Sequence, residues 1–340
     1  MFKRDLKRRP IKTSSFPPLI TIQPSGFCNT HCQLCPVGLG VEGAEPGFMD
    51  LSLYKRIVDQ IKSCALRINF GDWGEPTMNP DIFAMFAYAL ENRIATSAST
   101  NLHVFKTEEQ IRNLAVEGPT WNLNISLHGA SQETYASYQP GRDFHDTIDK
   151  VKTLKRILKE EGKTRPTMAL VFAITKKNQH EIPAMKQLAR ELGGTCRMYT
   201  ASINVRFYDD SRQISQLIDT WMQDTGWDQF DNFDFVNKTR IEAFHRAIRE
   251  NSGVDLEKLE QQKLTGRYFC DDPWRSLTVN WDGTVSLCCV DYTKHRMGDT
   301  REGSLPDIWN NRQYQDVRAY LLQKIDDLPD GCPCVHCVRY

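Results

Sequence analysis

Between Leu19 and about Ile203, short β-rich runs alternate with stretches whose apolar residues recur every three or four positions. The runs predict strands at Leu19–Gln23, Leu66–Phe70, Ala95–Ser99, Asn122–Leu127, Thr167–Ile174 and Cys196–Ser202. The stretches between them predict helices at Leu51–Ile61, Ile82–Leu90, Glu108–Val116, His145–Leu158 and Ile182–Leu192. The last shows the stripe plainly, with Ile182, Met185, Leu188, Ala189 and Leu192 on one face. Such alternation implies parallel strands joined by right-handed crossovers. The units fit a partial (β/α)6 barrel or a doubly wound sheet. Either fold gathers its chemistry where strands end and the following loops begin.

Beyond Ser202 the pattern changes. Residues 209–260 are acidic and rich in Trp and Phe, with helical stretches near Ile214–Met222 and Ile241–Ile248, and read as a linker packed on the first domain. Leu277–Trp281, Asp282-Gly283 and Thr284–Leu287 then form an apolar run, a turn dipeptide and a second run, which predicts a hairpin. A single helix is expected after Ser304, with Leu305, Ile308, Trp309, Val317 and Leu321 on one face, Ser304 as its cap and Pro306 in its first turn. The chain divides into a basic extension (1–17), a β/α domain (18–205), an acidic, aromatic linker (206–265) and a C-terminal unit (266–340).

Charge and composition narrow the function. The 340 residues carry 43 Lys and Arg against 43 Asp and Glu, so no bulk positive field exists to hold nucleic acid or an anionic membrane. Residues 1–12 carry six basic side chains and one acid, expected as a solvated or frayed terminus. The longest apolar run, Ile82 to Leu90, is nine residues, too short to span a bilayer. The N-terminus lacks the apolar core of a secretory signal. Eleven cysteines, an odd number, are too few for a disulfide scaffold. The expectation is a cytoplasmic protein whose cysteines are thiols or metal ligands.

Cys28, Cys32 and Cys35 form a C-x3-C-x2-C run directly after the first strand. Three closely spaced thiolates are soft ligands that suit an iron–sulfur cluster or zinc. Three cannot complete a [4Fe–4S] cubane, so one iron would stay open for a substrate or cofactor. A zinc site would instead recruit a fourth ligand, for which His31 is at hand.

This run, after the first strand of a six-unit β/α domain, resembles the radical S-adenosylmethionine (SAM) superfamily. The resemblance implies a partial (β/α)6 barrel and a [4Fe–4S] cluster whose open iron is chelated by SAM. It also implies reductive cleavage of SAM to a 5′-deoxyadenosyl radical, which takes a hydrogen atom from substrate. Gly71-Asp72-Trp73-Gly74-Glu75-Pro76 resembles the superfamily's glycine-rich motif, so Gly74, Glu75 and Pro76 are implied to receive the methionine ammonium. Ser99-Thr100-Asn101 resembles the polar tip of the third strand, which nominates Thr100 and Asn101. Ser126, in Ser126-Leu127-His128-Gly129, stands where relatives place a ribose-binding hydroxyl, and Arg142 where they place an Arg for the cofactor carboxylate. Leu34 replaces the usual aromatic residue before the third cysteine, and Leu102 the usual glycine after Asn101.

Cys270, Gly283 and Cys288 stand in a C-x12-G-x4-C pattern that resembles the SPASM and twitch extensions of some radical SAM enzymes. With Cys334 and Cys337 they would fully ligate one auxiliary [4Fe–4S] cluster, and Cys332 is an alternative to Cys334. The C-terminal cysteines are too few for two complete cubanes. The other reading of this cluster is a zinc site made by four of the cysteines, or by three of them with His336. The implied reaction is oxidation of a carbohydrate, aminocyclitol or nucleoside-type molecule, with the auxiliary cluster as electron acceptor. Its substrate is a small molecule or short peptide and its electron donor a flavodoxin or ferredoxin, with no nucleic-acid or membrane partner. Only about eighteen residues precede the first strand, where peptide-modifying relatives often carry a leader-recognition domain, which favours a small molecule or a peptide delivered by a separate protein. Radical epimerisation would need a free thiol, Cys289 or Cys196. Decarboxylation and ribosomal-peptide modification are further alternatives, and a zinc-stapled β/α binding protein is the non-enzymatic one.

Overall fold

The computed structural model describes residues 1–40, 46–201, 216, 220–221, 270–288, 296–326, 328 and 332. The predicted linker falls almost wholly outside them. Among the described residues the elements run α1 (Phe2–Arg8), β1 (Leu19–Ile22), α2 (Leu51–Ile61), β2 (Arg67–Phe70), α3 (Ile82–Glu91), β3 (Ala95–Thr100), α4 (Glu108–Glu117) and β4 (Asn122–Ser126). There follow α5 (Gln132–Tyr138), α6 (Phe144–Glu160), β5 (Thr167–Ile174), α7 (Ile182–Glu191) and β6 (Thr195–Thr200). The C-terminal unit adds α8 (Asp272–Arg275), β7 (Ser276–Val279), β8 (Thr284–Ser286), β9 (Arg296–Asp299), α9 (Leu305–Trp309) and α10 (Arg312–Leu321).

Side-chain caps start several of the helices. Asp50 caps α2 through the Ser52 and Leu53 amides, Thr107 and Gln110 close a capping box on α4, and Asp143 caps α6. The strands join in the order β6-β5-β4-β3-β2-β1-β7-β8-β9, with β1 to β6 parallel. This is the expected β/α architecture. Each strand alternates its faces. Ile20, Ile68, Leu123, Ile125, Leu170 and Phe172 are buried in one continuous core with the apolar sides of α2, α3, α4, α6 and α7. Burial of one such side chain stabilises by about 1.5–3 kcal/mol. The intervening positions face the other way and are polar on β2 and β4, while β5 contributes Ala169 and Val171.

The predicted hairpin forms. Gly283 takes φ +87°, a left-handed conformation that suits its place at the end of the turn, and the Thr284 amide donates to Asp282 Oδ1 (3.0 Å). The hairpin is not a separate appendage. β7 pairs in parallel with β1 (Leu19↔Ser276 to Ile22↔Val279) and prolongs the barrel sheet.

Two expectations are corrected. The helix after Ser304 is two helices, because the Asn311 side chain caps α10 through the Tyr314 amide while Asn310 turns its amide to Thr13. The basic N-terminus is docked, not frayed. Asp5, 4% exposed, accepts from Ser14 and Ser15, and the indoles of Trp274 and Trp309 donate to the Pro10 and Ser15 carbonyls (2.8 and 3.1 Å). Arg318 is fully buried, lies over the Trp309 and Tyr314 rings, and donates to the carbonyls of Ile11, Pro273 and Trp309. Residues 1–16 thus tie the two ends of the chain together.

Candidate functional site

The loop that leaves β1 brings Cys28, Cys32 and Cys35 together. The Thr30 hydroxyl lies between two of them, 3.0 Å from Cys28 Sγ and 3.6 Å from Cys32 Sγ. Burial pushes the Cys32 thiol up to about 12, with the charges of Cys35 and Cys28 adding to it, and pushes Cys35 up to about 11. Three crowded, half-buried thiols resist ionisation unless positive charge arrives with them, and metal supplies it. Among the described residues no three His, Cys, Asp or Glu side chains close on a point suited to a single ion. His31 is exposed, with Nδ1 3.4 Å from the Gly38 carbonyl. Closely grouped thiolates are the ligands an iron–sulfur cluster takes.

The Gly74 loop packs against this cysteine loop. Gly74 has φ +82°, and a Cβ there would lie 2.0 Å from the Ser25 carbonyl oxygen, so only glycine allows the approach. The Glu75 amide donates to the Phe27 carbonyl (2.7 Å), and Pro76 begins a 3-10 turn. The Glu75 side chain is buried and already accepts from the Thr77 amide and hydroxyl (3.2 and 2.5 Å) and the Asn101 amide (2.8 Å), with the Thr100 hydroxyl against it as well. A carboxylate offers about four acceptor positions. Glu75 braces the β2 loop against the β3 tip.

Thr100 also accepts from the Leu102 amide (3.0 Å). Asn101 reaches the cysteine loop: Nδ2 donates to Asn29 Oδ1 (2.8 Å) and sits 3.9 Å from Cys28 Sγ. Ser126 ends β4, half-buried on the polar side of the sheet. Arg142, half-buried between α5 and α6, is near enough that its charge opposes the rise of the Cys28 thiol. His128 is structural: its Nδ1 accepts from the Ala173 amide (3.0 Å), its ring packs on Tyr138, and burial pushes it down to about 4.

Two residues at the site escaped sequence reasoning. His103 is buried with Nε2 2.9 Å from the Tyr135 hydroxyl, and burial, with the Arg142 charge, lowers it to about 4. Its place two residues after Asn101 was the available signal. Gln139, 1% exposed, has its side chain on Cys32, and its Oε1 lacks a hydrogen-bond partner among the described residues. No spacing announced it.

Cys196 is not at the site. It packs with Met198 against the apolar core, while its neighbours Thr195 and Arg197 face the opposite side. In the C-terminal unit, Cys270 and Cys332 lie in the same buried core, and Cys288 follows β8. Cys270 lies two residues before the short helix α8, which leads into β7, and β7 pairs with β8 (Thr278↔Ser286), two residues before Cys288. Cys289, Cys334 and Cys337 lie outside the described residues.

The polar face of β1 to β6 encloses a cavity of ≈ 620 Å³, lined by Thr21, Asn69, Ser97, Ser99, Asn124 and Arg197 among others. It extends to Gly71 and Asp72, and the Asp72 charge acts on Cys35. A closed barrel fills this space with branched apolar side chains. Here it is open and rich in hydrogen-bonding groups.

A family model described as the radical SAM superfamily matches residues 22–189, and one described as an iron–sulfur cluster-binding domain, SPASM, matches residues 270–338. The tungsten-containing aldehyde ferredoxin oxidoreductase cofactor-modifying protein of Pyrococcus furiosus is 25% identical over 334 residues, covering 91% of this chain and 86% of its own. Mycofactocin maturase MftC of Mycobacterium tuberculosis is 26% identical over 328 residues, covering 95% and 76%. Among solved structures, SuiB of Streptococcus suis bound to precursor peptide SuiA matches with a TM-score of 0.63 at 18% identity, over 94% of this chain and 70% of that one. SuiB bound to S-adenosylmethionine matches with a TM-score of 0.60 at 15% identity, over 90% and 68%. The SuiB likeness is one of fold.

Proposed function

Because this chain belongs to the radical SAM superfamily and carries a SPASM iron–sulfur domain, we propose that it abstracts a hydrogen atom from a polar substrate held in the barrel cavity. When bound, the cofactors supply one-electron cleavage of SAM to a 5′-deoxyadenosyl radical and, at the auxiliary cluster, an acceptor for the electron left on the substrate. The protein's part is to bind and orient. Cys28, Cys32 and Cys35 hold the first cluster, and Asn101 and Thr30 pack against their sulfurs. Backbone carbonyls of the Gly74 loop, braced by Glu75, are offered to the methionine ammonium, Arg142 to its carboxylate and Ser126 to the ribose. Cys270 and Cys288, with Cys334 and Cys337 or Cys332, hold one auxiliary cluster. A flavodoxin or ferredoxin delivers the reducing electron.

One observation carries this reading: three half-buried thiols gathered on the loop that leaves the first of six parallel strands, with the charge of Asp72, which lines the polar cavity, acting on one of them. Net oxidation removes two hydrogens from the substrate, one as the abstracted atom and one as a proton, while the remaining electron goes to the auxiliary cluster. The polar lining supports a carbohydrate, aminocyclitol or nucleoside. A peptide-derived substrate is the second reading, supported by the maturase relative aligned along 95% of this chain. Epimerisation through Cys196 is disfavoured, since that thiol faces the core.

The test is anaerobic incubation of the reconstituted protein with SAM, reductant and candidate substrates. Oxidation gives 5′-deoxyadenosine and a product two hydrogens lighter. Solvent deuterium gain without mass loss would indicate epimerisation, and loss of carbon dioxide decarboxylation. No 5′-deoxyadenosine under any condition overturns the reading.

A further inference from the structure

The cavity carries its charge unevenly. Arg67 and Arg197 line it on strands β2 and β6, four places apart in the sheet order. The acid among the residues lining it, Asp72, stands at the thiol end, where its charge acts on Cys35. Arg67 opens β2, whereas Gly71 follows its last residue, so the two ends of the cavity are separated by roughly 13 Å of extended chain. The floor is cationic and the mouth carries the acid.

Among the described residues neither arginine has a carboxylate partner. Arg67 Nε is inaccessible to water and has no hydrogen-bond partner among the described residues. A guanidinium cannot shed its proton, and leaving a buried donor unmet is costly. Arg197 is held by a neutral group, its Nη1 donating to Asn124 Oδ1 (3.0 Å), which fixes the fork and leaves its other donors open. Asn124 is itself steadied by its amide on Ser99 Oγ (3.3 Å), and beside them Asn122 Nδ2 is fixed on the Thr167 carbonyl (2.9 Å). Both guanidiniums line one cavity, among oriented amides and hydroxyls, and a guanidinium fork is the donor that carboxylates and phosphates pair with.

We propose that the floor of the barrel, Arg67 and Arg197 with Asn122 and Asn124, is an oxyanion subsite that grips a carboxylate or phosphate at one end of the substrate and sets the reacting carbon at the thiol end. This deepens the hydrogen-abstraction reading and rests on it. The separation implies an extended substrate, about four peptide residues long or of comparable reach.

The test titrates inorganic phosphate and, separately, acetate into the reconstituted holoenzyme at low ionic strength, following binding by calorimetry. The proposal expects saturable binding of one anion per chain. Arg197→Gln and Arg67→Gln should each weaken it about tenfold, and Arg112→Gln, on the exposed side of α4, should leave it unchanged. Tighter phosphate names a phosphorylated substrate and tighter acetate a carboxylate one. Arg197 is exposed on its strand, so its variant remains informative where Arg67→Gln fails to fold. No saturable binding, or equal binding by wild type and Arg197→Gln, overturns the proposal even when 5′-deoxyadenosine forms. Conversely, anion binding without any 5′-deoxyadenosine from the wild type overturns the enzymatic reading alone.

Discussion

On β4, Leu123 and Ile125 are fully buried against the helices, while Asn122 and Asn124 line the cavity on the other side of the same strand. The contrast repeats on β2, where Ile68 enters the core and Asn69 the cavity, and on β6, where Cys196 faces the core and Arg197 the cavity. Stability is concentrated on the helix-facing side, where apolar area leaves water. Binding capacity is concentrated on the other, where a filled interior would add stability and remove the site. The rim, with its three thiols, belongs to the second side. A residue's neighbour in sequence therefore says less about its role than the parity of its position.

The sharpest break in this contrast is at the rim. Replacing Cys28, Cys32 or Cys35 by Ala should abolish SAM cleavage, read as 5′-deoxyadenosine, while the barrel still folds. Cys270→Ala or Cys288→Ala should leave cleavage uncoupled from product. Next comes an adjacent pair on β2. Ile68→Ala should cost about 2–5 kcal/mol of stability, whereas Asn69→Ala should stay within about 0.5 kcal/mol, both measured by denaturant unfolding. Equal losses would erase the distinction between the faces.

Acid offers a smaller test. Burial lowers folded His128 to about 4 from its ordinary 6.5, so the unfolded chain binds the extra proton between those values. Stability is then full above pH 6.5 and falls as pH drops toward 4, by about 2 kcal/mol for His128 at pH 5. His128→Gln should flatten its share of the slope between pH 7.5 and 5. Smallest, Asn310→Ala should cost about 1 kcal/mol by releasing Thr13 and Arg318, seen as a modest fall in Tm.

Much of this was legible because strands and helices of a β/α domain announce themselves by local period. The predicted β5 and α2 agree with the observed bounds, and the Asp282-Gly283 turn forms as read. Illegible parts depended on distant partners. Helix α5 is short and polar-rich, with Ser131 as its cap, and shows no stripe. The docking of β7 on β1 joins residues more than 250 positions apart, and the N-terminus reads as solvated until Trp274, Trp309 and Arg318 are seen to hold its carbonyls. At the site, Cys28, Cys32 and Cys35 were found by spacing. The saturation of Glu75 and the orientation of Cys196 needed three dimensions, although the parity of Arg197 and Asn124 was already present in the alternation of their strands.

The central claim is that the first three cysteines hold a cluster with one corner left for SAM. It is tested most directly by electron paramagnetic resonance of the reduced, anaerobically reconstituted protein in which Cys270 and Cys288 are both replaced by Ala. The account predicts a [4Fe–4S] signal that changes on addition of SAM and is lost when Cys32→Ala is added. A signal that SAM leaves unchanged, or a protein that takes up zinc and no iron, contradicts it.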